Sequence, residues 1–122
     1  VDPALVDDAL MARYTELPRA PGHRAILLKL MLDFRSRNYA TPERLAPLAG
    51  MPVLIMSGSA DVLVPPEHAQ QFHDAIAGSE LVMFDGVGHV PQEIIPEQSA
   101  AALSDFLARR RGEAETAAIA AQ

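Results

Sequence analysis

Two short apolar runs constrain this chain more than any other feature. Val53-Leu54-Ile55-Met56 and Leu81-Val82-Met83-Phe84 both lack the polar–apolar alternation of a half-exposed strand. Such runs, bounded by turn residues, read as strands covered on both faces, the usual situation in a parallel sheet. Between them Pro65-Pro66 opens a helical pattern that turns Ala69, Phe72 and Ile76 inward, and Gly78 ends it. Strands over Val53–Ser57 and Glu80–Phe84, joined by a helix from Pro66 to Ala77, make a βαβ unit with an expected right-handed crossover.

Two parallel strands do not form a stable sheet alone. The outer edge of Val53–Ser57 would expose a row of N–H and C=O groups between apolar faces, and such an edge needs a neighbour. The expected fold is therefore the C-terminal portion of a larger α/β sheet: two parallel strands with their crossover, flanked by helices. The start on Val1, without an initiator Met or a signal sequence, leads to the expectation that upstream protein is missing.

The flanks read as helices. Asp2-Pro3 is a cap-then-proline signature for a helix through Leu17, broken by Pro18 and Pro21-Gly22. His23 to Arg35 follows, apolar on a wide face through Ile26, Leu27, Leu30, Met31 and Phe34. Arg35 to Tyr39 reads as a loop, and Thr41-Pro42-Glu43 starts a short helix ending near Gly50. Pro96-Glu97 opens the last helix, whose stripe of Ala100, Leu103, Phe106 and Leu107 runs to Arg110. The expected organisation is a helical segment at 1–40, the sheet portion at 41–110 and a flexible Ala-rich tail at 111–122.

Composition narrows the function. A net charge of -6 argues against a nucleic-acid partner, which needs a basic patch. The absence of cysteine removes thiolate metal sites, disulfides and a cysteine nucleophile. It fits a reducing compartment, so a cytoplasmic location is expected. No apolar run approaches the ~20 residues of a membrane span.

In open parallel sheets ligands gather beyond the carboxyl ends of the strands. Asp61 lies just past the first strand and His89 just past the second. A buried carboxylate bonded to one imidazole nitrogen sets the ring's tautomer and stabilises the imidazolium formed when the other nitrogen takes a proton. Gly58, Gly86 and Gly88 let both loops leave their strands sharply. Asp61 and His89 are the candidate catalytic residues.

The segments Pro-Val-Leu-Ile-Met-Ser-Gly-Ser-Ala-Asp-Val-Leu-Val-Pro-Pro at 52–66, Gly-Val-Gly-His-Val-Pro at 86–91 and Ile-Pro-Glu at 95–97 resemble the last third of an α/β-hydrolase. The resemblance covers residues 41–108 and implies that Asp61 is the triad acid and His89 the triad histidine. It also implies that residues 1–40 are the end of a helical lid. Members often carry two acids after His-x-Pro-x, whereas here Glu93 is followed by Ile94. The Gly-x-Ser-x-Gly nucleophile elbow is absent: Ser36, Ser57, Ser59, Ser79, Ser99 and Ser104 all lack its context, Ser59 coming nearest.

The chain is thus expected to supply the acid–histidine pair for hydrolysis of a small ester or related carbonyl substrate. The nucleophile would come from a missing N-terminal part or a partner chain, with no metal or organic cofactor. One alternative is an epoxide hydrolase- or dehalogenase-like enzyme with an upstream Asp nucleophile. Another is a non-catalytic fragment or a sheet-completing module. His68 and His73 are expected to be exposed helix residues, Asp85 a turn residue, and Arg109-Arg110-Arg111 a helix-end charge feature.

Overall fold

The computed structural model describes residues 6–33 and 40–120. The chain divides into two compact units, Val1–Ala40 and Thr41–Gln122. In the first, α1 (Asp8–Glu16) runs into a 3-10 turn at Leu17–Arg19, followed by α2 (His23–Asp33). Asp7 caps α1: its carboxylate accepts the Leu10 N–H at 2.7 Å. The expected cap at Asp2-Pro3, the end of the second helix at Arg35 and the loop at Arg35 to Tyr39 lie outside the described residues.

The second unit holds α3 (Pro42–Leu45), β1 (Leu54–Gly58), α4 (Pro66–Ala75), β2 (Glu80–Phe84), α5 (Pro91–Ile94) and α6 (Pro96–Ala120). Among the described residues β1 and β2 form one two-stranded parallel sheet, in register from Leu54 opposite Glu80 to Gly58 opposite Phe84. Helix α4 packs on both strands, and α5 and α6 reach β1. Gly78, at φ 82, turns the chain from α4 into β2.

Neither strand is sealed on both faces. Met56 pairs with Val82 and Met83 with Ser57, so the two methionines point to opposite faces. They stay 37% and 38% exposed, so each face keeps an uncovered side chain. The apolar core of the unit is Ala69, Ile76, Val87 and Phe106. Phe72, expected inside, shares the helical stripe of Ala69 and Ile76 but is 39% exposed.

The last helix departs most from expectation. It does not end near Arg110 in a frayed tail but continues to Ala120. Alanine, glutamate and arginine sustain a helix by intrinsic propensity, without an apolar face to bury. Its buried line is Ser99 and Phe106, with Ala102 and Arg110 partly covered, while Leu103 and Leu107 face outward. Nor do the arginines decorate a helix end. Arg109 and Arg110 each meet the Glu80 carboxylate at 2.5 Å, and Arg110 also meets Glu113 at 2.7 Å. The Arg110 guanidinium lies 5.2 Å from the Phe106 ring centroid. This cluster fastens α6 to the start of β2.

Candidate active site

Both candidate residues sit on loops beyond the carboxyl ends of the parallel strands. After β1 the chain turns at Ser59-Ala60, and Asp61 follows with its side chain 6% exposed. One carboxylate oxygen, Oδ1, accepts the backbone N–H groups of Leu63 and Val64, both at 2.9 Å. The other, Oδ2, lies 2.8 Å from Nδ1 of His89. The acid thus organises its own loop with one oxygen and engages the histidine with the other.

Burial pushes the Asp61 carboxyl up, but the bonds from Val64 N–H, His89 and Leu63 N–H outweigh it and hold the group below its ordinary value. An ionised carboxylate only accepts, so Nδ1 carries the proton of the shared bond and Nε2 is the acceptor of the neutral ring. The His89 side chain is 46% exposed, so a reacting group can approach it.

The two loops are stitched together beyond the last rung of the sheet. Ser59 N–H donates to Phe84 O at 2.8 Å, and Ala60 N–H to Val87 O at 2.9 Å. At Gly58 a Cβ would run into the carbonyl oxygens of Val87 and Gly88, so only glycine lets the histidine loop close over the strand end. Gly86, at φ 68, makes the turn out of β2. The short helix α5 then begins at buried Pro91, with Glu93 in its first turn.

Other residues take roles that the sequence did not disclose. Ser59 donates to Asp85 Oδ1 at 3.0 Å and accepts the Gly86 N–H at 2.8 Å, so its hydroxyl is engaged in linking the two turns. Asp85 is accordingly an exposed turn residue, and the acid bonded to His89 is Asp61. His68 is exposed, but His73 is half-buried with Nδ1 2.9 Å from the buried Ser79 hydroxyl. Spacing alone gave no sign of that bond, which closes the turn between α4 and β2. Past Asp61, Val62, Leu63 and Val64 are 89%, 73% and 45% exposed, an apolar surface beside the pair. A shallow cleft of about 430 Å³ lined by Pro52, Gly78 and Arg110 lies at the opposite end of the strands.

Parallel strands with a crossover helix, an acid past the first and a histidine past the second define the C-terminal part of an α/β-hydrolase fold. The family described as TAP-like protein matches residues 33–116, and the chain belongs to that family. Uncharacterized proteins of Mycobacterium bovis and Mycobacterium tuberculosis are 34% identical over 74 residues. That match covers 61% of this chain and 22% of theirs. Among solved structures, a serine hydrolase involved in carbazole degradation, the CarC enzyme, superposes with a TM-score of 0.74 at 26% identity. It shares 84% of this chain and 40% of its own. An α/β hydrolase from the metagenome of lagoon sediments at Mar Chica, Morocco, gives 0.64 at 20% identity, over 85% of this chain and 46% of its own. No helix among the described residues is long and apolar enough to cross a membrane.

Proposed function

We propose that this chain supplies the acid and the base of an α/β-hydrolase that cleaves an ester or related carbonyl bond. The observation that carries the reading is the Asp61–His89 bond at 2.8 Å, with the second carboxylate oxygen held by two backbone N–H groups. In this mechanism His89 Nε2 takes the proton of a nucleophile attacking the carbonyl carbon, while Asp61 stabilises the imidazolium through Nδ1. When the tetrahedral intermediate collapses, the imidazolium returns that proton to the leaving oxygen. The acyl-enzyme is then hydrolysed by water activated in the same way.

The nucleophile lies outside this chain, because no serine here stands in an elbow context and Ser59 is bonded to Asp85 and Gly86. The similarity to a serine hydrolase favours a serine over an aspartate for that role. The exposed apolar residues Val62, Leu63 and Val64 beside the pair suit a substrate with an apolar acyl or aromatic group. The test is hydrolysis of a short acyl ester by a protein that includes the nucleophile-bearing segment. His89→Ala abolishes turnover on this reading, and a variant as fast as its parent overturns it.

A second reading has this chain acting as a sheet-completing module, favoured by the strand edges left unpaired among the described residues. A serine-reactive fluorophosphonate separates the two. The chain alone is expected to stay unlabelled under either reading, whereas the assembled protein is labelled only if a hydrolase site forms.

A further inference from the structure

We infer that Ser59 and Asp85 form a positioning latch that fixes the register between the acid loop and the histidine loop. The inference rests on the catalytic reading of Asp61 and His89 only for its consequence, not for its geometry. Asp61 and His89 belong to separate loops, and the ladder that aligns β1 with β2 stops at Gly58 and Phe84. Beyond that rung, two backbone bonds, Ser59 N–H to Phe84 O and Ala60 N–H to Val87 O, run from the first loop to the second. Both are donated by the acid loop, so neither holds an N–H of the histidine loop.

Ser59 supplies the bond in the other direction. Its Oγ accepts the Gly86 N–H at 2.8 Å while its own proton goes to Asp85 Oδ1 at 3.0 Å. The hydroxyl therefore grips two consecutive residues of the β2 turn, one through backbone and one through side chain. Gly86, at φ 68, is the point where the chain changes direction toward His89. Holding its N–H sets the direction in which the loop leaves the strand, and hence where the imidazole meets Asp61. A catalytic pair must be held within about 0.5 Å of its working geometry, a tolerance that a single loose turn exceeds. The hydroxyl nearest to a nucleophile context in the sequence is thus committed to placing the base.

The experiment is NMR on the protein that includes the nucleophile-bearing segment, carrying ¹⁵N-labelled histidine, where two-bond imidazole correlations distinguish the Nδ1–H from the Nε2–H tautomer. The parent is expected to show His89 as Nδ1–H. Ser59→Ala should mix the tautomers and speed Gly86 amide exchange by about fivefold to tenfold, the size of one hydrogen bond's net contribution. Amide protection in the β1–β2 ladder should not change. Ser59→Thr keeps the hydroxyl and should restore both signals, which a purely steric role for Ser59 would not require. Asp85→Ala leaves the Gly86 bond but frees the hydroxyl, and should move both signals in the same direction by less. It also serves as the deciding variant should Ser59→Ala unfold. Parent-like tautomer and exchange in either alanine variant, or a threonine variant as perturbed as alanine, overturns the latch. No substrate enters these readouts, so the latch can fail while His89 still serves hydrolysis, and can hold while it does not.

Discussion

Asp61 has two tasks, and they need different properties of one carboxylate. Its Oδ1 holds the Leu63 and Val64 amides, and an amide oxygen could do the same. Its Oδ2 must accept from His89 Nδ1, which an amide NH2 in that position cannot do. Asp61→Asn is therefore expected to leave the loop folded and to stabilise the wrong tautomer of His89. On the proposed mechanism turnover falls about 10⁴-fold, measured as ester hydrolysis by the protein that carries the nucleophile. The depressed pKa of Asp61 has a direct sign: the stability it contributes is present above the ordinary carboxylate range and is lost as pH falls through the lowered folded value. Both candidate residues could be found in the sequence because each follows a strand end. Their pairing was expected from the resemblance, but its geometry was not legible, since that depends on where two turns place their side chains.

At the scale of elements, the strands were legible to within a residue because an unalternating apolar run between turn residues admits few other structures. The helix ends were not. The extension of α6 past Arg110 follows from propensity and local ion pairs, which leave no hydrophobic pattern to read. Gly112 is the weak point of that extension, and a Cβ there meets nothing within 4 Å. Gly112→Ala is expected to stabilise the helix by about 0.5–1 kcal/mol, seen as a higher far-UV melting midpoint.

The Glu80 cluster was equally hidden, because about 30 residues separate its charges in the chain and only the packing of α6 on β2 brings them together. The Arg109 guanidinium, with that of Arg110, holds the Glu80 carboxyl below its ordinary value against the opposing effect of burial. A depressed carboxylate stabilises above its unfolded pKa and stops doing so as pH falls through the folded one. The parent should therefore exceed Glu80→Gln in urea midpoint at pH 7, and the gap should close in acid below the ordinary carboxylate range. It should also narrow in 1 M salt, since these groups are partly exposed.

At the scale of the whole molecule, the described residues bury few large side chains, and none falls below 2% exposure. Met56 and Met83 are uncovered on opposite faces of a sheet whose described strands are both edges. Surfaces of this kind pair with further strands or with other copies. The chain alone is expected to self-associate in gel filtration and to become monodisperse when a sheet-completing partner segment is supplied. A stable monomer at high concentration would count against the need for one.

The sequence by itself determined the strand–helix–strand unit, the direction of its sheet and the two loops where an acid and a histidine would stand. These follow from local pattern: apolar runs, proline starts and glycine turns act over a few residues. Only the tertiary structure decided that Asp61 divides its oxygens between its own loop and His89, that Ser59 joins the two turns and that Glu80 binds α6. Apart from the bonds Asp61 makes to its own loop, each of those contacts joins groups from different elements, and their partners are chosen by the packing that brings the elements together.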